Sequence, residues 1–167
     1  AVTSQVTISD TLYLGDGSLG LNTGANLMLE ADGMVYRDGA SFTTSGGVFT
    51  SGGDYDVHYA GGSKTTGLEI NSMNLKNVNI SLDDNTNILT MGTDLIVKGD
   101  LQVNSGILNV GANDLEIHDN LNIQTGAALT TGAASNLKIM TDNNLNSALV
   151  FTSGSSIDQL MIEYGGS

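Results

Sequence analysis

Apolar residues recur two positions apart along most of the chain. The clearest run lies between Leu95 and Ile123, where Leu95/Val97, Leu101/Val103, Leu108/Val110, Leu115/Ile117 and Leu121/Ile123 begin 6, 7, 7 and 6 residues apart. Each pair is too short for a helix, and a period of two places both members on one face of a strand. Gly, Asn and Asp fill almost every gap, as tight corners require. Three such sides make a coil of about 20 residues, a period that marks solenoids.

The same alternation begins near the N-terminus at Val6/Ile8, Leu12/Leu14, Leu19/Leu21 and Leu27/Leu29, then continues more weakly at Met34/Tyr36 and Phe42/Thr44. A longer strand follows, with Tyr55, Val57 and Tyr59 on one face and Asp54, Asp56 and His58 on the other. The rhythm resumes at Leu68/Ile70, runs through Val78, Ile80 and Leu82, and returns at Leu129, Leu137/Ile139, Leu149/Phe151 and Leu160/Ile162. The expected fold is therefore all-β: a single-chain β-solenoid, triangular and parallel, of the right-handed kind, with about 20 residues per coil and about eight coils.

A longer period is superimposed on the short one. Val6, Leu12 and Leu19 match Leu95, Leu101 and Leu108 at an offset of 89, and Gly24-Ala25-Asn26 matches Gly111-Ala112-Asn113 at 87. Val48-Phe49-Thr50-Ser51-Gly52 recurs as Val150-Phe151-Thr152-Ser153-Gly154, and Tyr59 with Gly61-Gly62-Ser63 recurs as Tyr164 with Gly165-Gly166-Ser167. Residues 1–63 read as a partial first copy and 64–167 as a second, a window from a tandem array in which neighbouring repeats of the same chain are the first partners. Strand edges left at its two ends would favour lateral or end-to-end self-association.

Composition sharpens this picture. The 167 residues contain 22 Gly and no Pro, Cys or Trp, which disfavours helices and excludes a disulfide framework. Eighteen acidic side chains against five basic ones give a net charge of -13, so no basic patch for nucleic acid or an anionic membrane can be assembled. The apolar runs span only a few residues, too few for membrane insertion by a helix.

The blocks VTISDTLYLGDGSLGLNTGANLMLE and LIVKGDLQVNSGILNVGANDLEIHDNLNI resemble the repeats of very large surface proteins of Bacteroidota, exported by the type IX secretion system and including gliding-motility adhesins. The segment YDVHYAGGSKTTGLEI, residues 55–70, is similar to the junction between such repeats, where a Tyr-rich strand precedes Thr-Thr-Gly and an acidic residue. The resemblance covers nearly the whole chain. It implies a long extracellular fibre at the bacterial cell surface that carries binding tips away from the cell, and it brings no catalytic residues with it.

Candidate chemistry is thin. Lyases built on β-helices use Arg or Lys as base, and this chain has one Arg, Arg37, and four scattered Lys. Glycoside hydrolysis needs two facing carboxylates, which 18 acids can provide by chance. No catalytic residue and no cofactor is expected, and the protein is read as not an enzyme. Asp54, Asp56 and His58 share a strand face and are the metal candidates, with calcium the cation considered; the plainer reading is a solvated outer face. Asp83-Asp84-Asn85 and Asp114-Leu115-Glu116 are weaker calcium candidates and suit turns better, and His118 reads as a surface corner residue. Tyr13, Tyr36, Tyr55, Tyr59 and Tyr164 would make a carbohydrate platform if they pointed outward together, although period-two reasoning puts most of them inward or at junctions, where core packing is the better reading. The expected function is a non-catalytic stalk segment. A carbohydrate-binding or carbohydrate-active β-helix with surface polysaccharide as ligand, and a phage tail fibre, are the alternatives.

Overall fold

The computed structural model describes residues 4–70, 73–141 and 159–164. The chain winds through three short strands per turn. The first turn is β1 (Ser4–Ile8), β2 (Thr11–Leu14) and β3 (Ser18–Asn22), the second β4 (Ala25–Leu29), β5 (Met34–Arg37) and β6 (Ser41–Ser45), the third β7 (Val48–Ser51), β8 (Tyr55–Tyr59) and β9 (Lys64–Thr65). A 3-10 helix, Leu68–Ile70, stands where the next first-face strand would come, followed by β10 (Leu75–Ser81) and β11 (Ile88–Thr90). Then come β12 (Leu95–Val97), β13 (Leu101–Ser105) and β14 (Ile107–Asn109), and β15 (Leu115–Ile117), β16 (Leu121–Ile123) and β17 (Ala128–Thr130). Finally β18 (Asn136–Thr141) and β19 (Gln159–Tyr164) extend the first face.

The result is a parallel β-solenoid of about six turns spaced about 22 residues apart. The expectation of eight coils of 20 residues is corrected in number because corners vary: Leu89 faces Leu108, 19 residues on, whereas Leu12 faces Val35, 23 residues on. The second face is one uninterrupted sheet, β2-β5-β8-β10-β13-β16. The first face is split into β1-β4-β7 and β12-β15-β18-β19, and the third into β3-β6 and β9-β11-β14-β17. Both breaks fall at residues 55–70, the segment expected to join two repeats.

Inward positions stack turn upon turn. On the second face Val35, Val57, Val78, Leu101 and Leu121 pair in register and are all nearly inaccessible. Each such side chain, fully buried, contributes roughly 1.5–3 kcal/mol of transfer free energy. The Leu-x-Val pairs of Leu95 to Ile117 point inward as expected. Val6, Leu160 and Ile162, on the end strands β1 and β19, are about half exposed.

Three sequence expectations change. On β6 Phe42 is buried, but its expected partner Thr44 is exposed. On β5 the buried residues are Val35 and Arg37, not Met34 and Tyr36, because Leu12 of β2 registers with Val35. Leu68/Ile70 is a turn of 3-10 helix and not a strand, and it carries the fully buried Glu69. The expected pair Leu149/Phe151 lies outside the described residues.

Candidate functional site

Two constellations are built by this stacking, one inside the rod and one on its outer surface. The inner one lies where two of the three faces are interrupted. Arg37 and Glu69 are 2% and 0% exposed and form an ion pair. Arg37 Nε donates to the Ala40 carbonyl at 3.0 Å and its guanidinium to the Thr65 carbonyl at 3.0 Å, with the guanidinium carbon 5.7 Å from the centre of the Tyr59 ring. Glu69 Oε1 accepts from the Tyr59 hydroxyl at 2.7 Å and from the Gly67 backbone N–H at 2.8 Å, while the Tyr55 hydroxyl donates to the Glu69 carbonyl at 2.6 Å. Burial, then the neighbouring Glu69 carboxylate, pushes the Tyr59 hydroxyl well above its ordinary value. Buried charge is tolerated only when paired and hydrogen-bonded, and here four elements supply the partners. Glu69 Oε2 is buried without a hydrogen-bond partner among the described residues.

The outer constellation lies on the uninterrupted second sheet. Parallel in-register pairing stacks like positions, so the outward residues Tyr13, Tyr36, His58, Asn79, Gln102 and Asn122 form one column. Its upper half is aromatic: Tyr13 and Tyr36 stack at 5.2 Å and 13°, Tyr36 and His58 at 4.8 Å and 25°. Tyr13 is 61% exposed and its hydroxyl donates to Asp38 at 3.3 Å. This corrects the expectation that Tyr36, paired with Met34, faces the core. Tyr55 and Tyr59 do so, Tyr13 and Tyr36 do not, and the Tyr164 side chain lies outside the described residues.

A second column runs beside the first. Asp56 Oδ1 accepts from the Asn77 backbone N–H and side-chain amide at 3.2 and 2.9 Å, Asn77 Oδ1 accepts from the Asp100 N–H at 2.9 Å, and Asp100 Oδ1 accepts from the N–H and amide of Asn120 at 3.2 and 2.8 Å. A bulge between Leu75 and Val78 aims Asn77 into this ladder. Between the two columns, where aromatic rings give way to shorter amides, lies a half-open groove of about 270 Å³.

The metal candidates are therefore pulled apart. Asp56 is engaged by Asn77, His58 stacks on Tyr36, and Asp54 faces Lys98 Nζ at 3.4 Å. Burial lowers the His58 pKa, which favours the neutral ring. Among the described residues no group of three or more His, Asp or Glu side chains is placed to hold a metal ion. Of the other acidic candidates, Asp84 and Asp114 serve corners, and Glu116 on β15 meets Lys138 at 3.4 Å. Asp84 accepts from the N–H and hydroxyl of Thr86 at 2.7 and 2.8 Å, which holds its carboxyl below the usual range, and Asp114 accepts from Asn136 at 3.0 and 2.7 Å. His118 is exposed at a corner, 2.8 Å from Glu116.

Neither constellation is legible as a unit in the sequence, since Arg37 lies 32 residues before Glu69 and the members of the outer columns lie about one turn apart. The signal available was the 22-residue spacing itself, applied to outward positions as well as inward ones. Compared with family models, with curated proteins and with solved structures, the chain matches none. Among the described residues no helix is long and apolar enough to cross a membrane.

Proposed function

We propose that this chain is a non-catalytic stalk segment of an extracellular bacterial filament or adhesin, holding binding modules of its parent away from the cell surface. The observation that carries the reading is the passage of the second sheet through the repeat junction without a break. Two of three faces are interrupted there, yet six strands remain paired, with register shifts confined to β10, and the Arg37–Glu69 pair fills the core beneath them. Such a junction lets one repeat follow another as a single stiff rod. Each turn adds about 4.8 Å, and stability accrues turn by turn through contacts with its neighbours. The strong negative charge keeps such a shaft soluble and discourages sideways clumping. The resemblance to repeats of type IX-exported surface proteins supports the same location.

The test is direct. Immunogold labelling of intact cells with an antibody to this chain should mark thin surface filaments, and small-angle scattering of the purified chain should give a constant rod-like cross-section. Label confined to the cytoplasm, or a globular scattering profile, would remove the reading.

A further inference from the structure

We propose that the groove on the outer face of the second sheet binds a neutral glycan, with a sugar ring against the imidazole of His58 and its hydroxyls held by Asp56, Asn79, Asp100 and Gln102. A plain shaft requires only that outward residues be soluble. This groove has more than that: an aromatic end, a polar floor and a concave shape, the combination by which proteins hold small polar ligands.

The aromatic end follows from the column. One face of His58 is covered by Tyr36, and on its other side comes Asn79, a shorter side chain beyond which the imidazole projects into the groove. Neutral imidazole presents a ring face suited to the apolar face of a pyranose, and the two tyrosines behind it fix its orientation. Met34 closes the same end.

The polar floor has unused capacity. Among the described residues the side chain of Gln102 makes no hydrogen bond, leaving two donors and an acceptor for a ligand. Asp56 and Asp100 each spend Oδ1 on the corner ladder and keep Oδ2 for another donor. The ladder holds both carboxylates still, so hydroxyls meet a preorganised set of acceptors. Sugar hydroxyls both donate and accept, which matches this mixture of amides and carboxylates. Two carboxylates in the groove and a net charge of -13 repel uronates and sulfated sugars, which selects neutral glycans.

A groove of about 270 Å³ sits near the lower end of small-ligand sites, suiting one or two sugar rings of a longer chain. A stalk that repeats such a groove along its length would hold a polysaccharide by multivalency even where each site is weak.

Amide chemical shifts of the isotope-labelled chain, titrated to millimolar concentration with cellohexaose, xylohexaose, mannohexaose and chitohexaose, test this. At least one of these probes should shift residues 56–58, 77–79 and 100–102. His58→Ala and Gln102→Ala should each weaken its binding by about tenfold, with the thermal midpoint of Gln102→Ala unchanged. Gln102→Ala carries the test if His58→Ala does not fold. No shift with any of the four, shifts on another face, binding retained in Gln102→Ala, or tighter binding of hexagalacturonate would each overturn the proposal. Shifts reproduced at the same residues by calcium alone would overturn it in favour of a cation site.

Discussion

The hydroxyl of Tyr59 donates to Glu69 Oε1 across 2.7 Å in a part of the core closed to water, and Arg37 reaches the same oxygen from the preceding turn. Three consecutive turns are thereby tied at one carboxylate, at the place where two sheets break. Removing one member leaves a buried charge without its partner, a loss of about 3–5 kcal/mol. Arg37→Met and Glu69→Gln should each lower the free energy of urea unfolding by that order. The double variant should lose less than the two losses added together, since neither charge then remains buried alone. Additive losses in a double-mutant cycle would show that the two side chains are not coupled.

The same oxygen makes stability sensitive to alkali. Burial and Glu69 hold the Tyr59 hydroxyl well above the ordinary value of about 10 that applies to the unfolded chain. Below pH 10 both states carry the proton and the stabilisation is fully present. Above it the unfolded state releases the proton first, so stability falls with rising pH until the folded hydroxyl also ionises. One such group changes stability by about 1.4 kcal/mol per pH unit in that window. Tyr59→Phe should flatten the alkaline limb of the unfolding free energy measured between pH 9 and 11. An unchanged limb would place the titration elsewhere.

What the sequence conveyed depended on whether a residue could be understood from its own strand. Leu95/Val97 and Tyr55/Val57/Tyr59 could, because one face was plainly apolar and the other polar. Met34-Val35-Tyr36-Arg37 could not: both alternations are equally plausible until Glu69, 32 residues on, gives Arg37 a buried partner. Leu68/Ile70 carries the strand spacing, yet the Ile70 N–H donates to the Gly67 carbonyl at 3.5 Å to close a 3-10 turn, and the Glu69 carboxylate accepts the Gly67 N–H at its start. Asp56 and His58 share a face along their strand, whereas their roles are set across it, by Asn77 on the next turn and Tyr36 on the one before.

The corner after β8 offers a sharp contrast between adjacent glycines. Gly61 has φ +71, and a Cβ there would lie 2.3 Å from Asp38 Oδ1 and 2.4 Å from the Asp38 carbonyl oxygen. Gly62 has an ordinary φ and nothing within 4 Å of a built Cβ. Gly61→Ala should destabilise by about 2–4 kcal/mol, from the left-handed backbone together with the clash against backbone that cannot easily give. Gly62→Ala should be neutral or stabilise by up to about 1 kcal/mol, since it narrows the unfolded ensemble at no cost in the fold. Urea midpoints of the two variants decide; equal losses would mean that the corner tolerates neither change for some other reason.

The ladder Asp56–Asn77–Asp100–Asn120 assigns different duties to its two residue types. Asn77 donates to Asp56 through its amide and accepts the Asp100 N–H through its carbonyl, a double role that a carboxylate cannot fill. Asn77→Ala should cost about 1–3 kcal/mol, the price of leaving these partners unmet. Asn77→Asp keeps the acceptor for Asp100 but sets a second carboxylate against Asp56. It should therefore be destabilised more at pH 7 than at pH 3, where protonation relieves the repulsion and restores a donor. Comparing each variant with the parent chain by urea unfolding at the two pH values isolates that term. A deficit for Asn77→Asp that does not shrink on acidification would show that the ladder is held by geometry alone and not by the alternation of acid and amide.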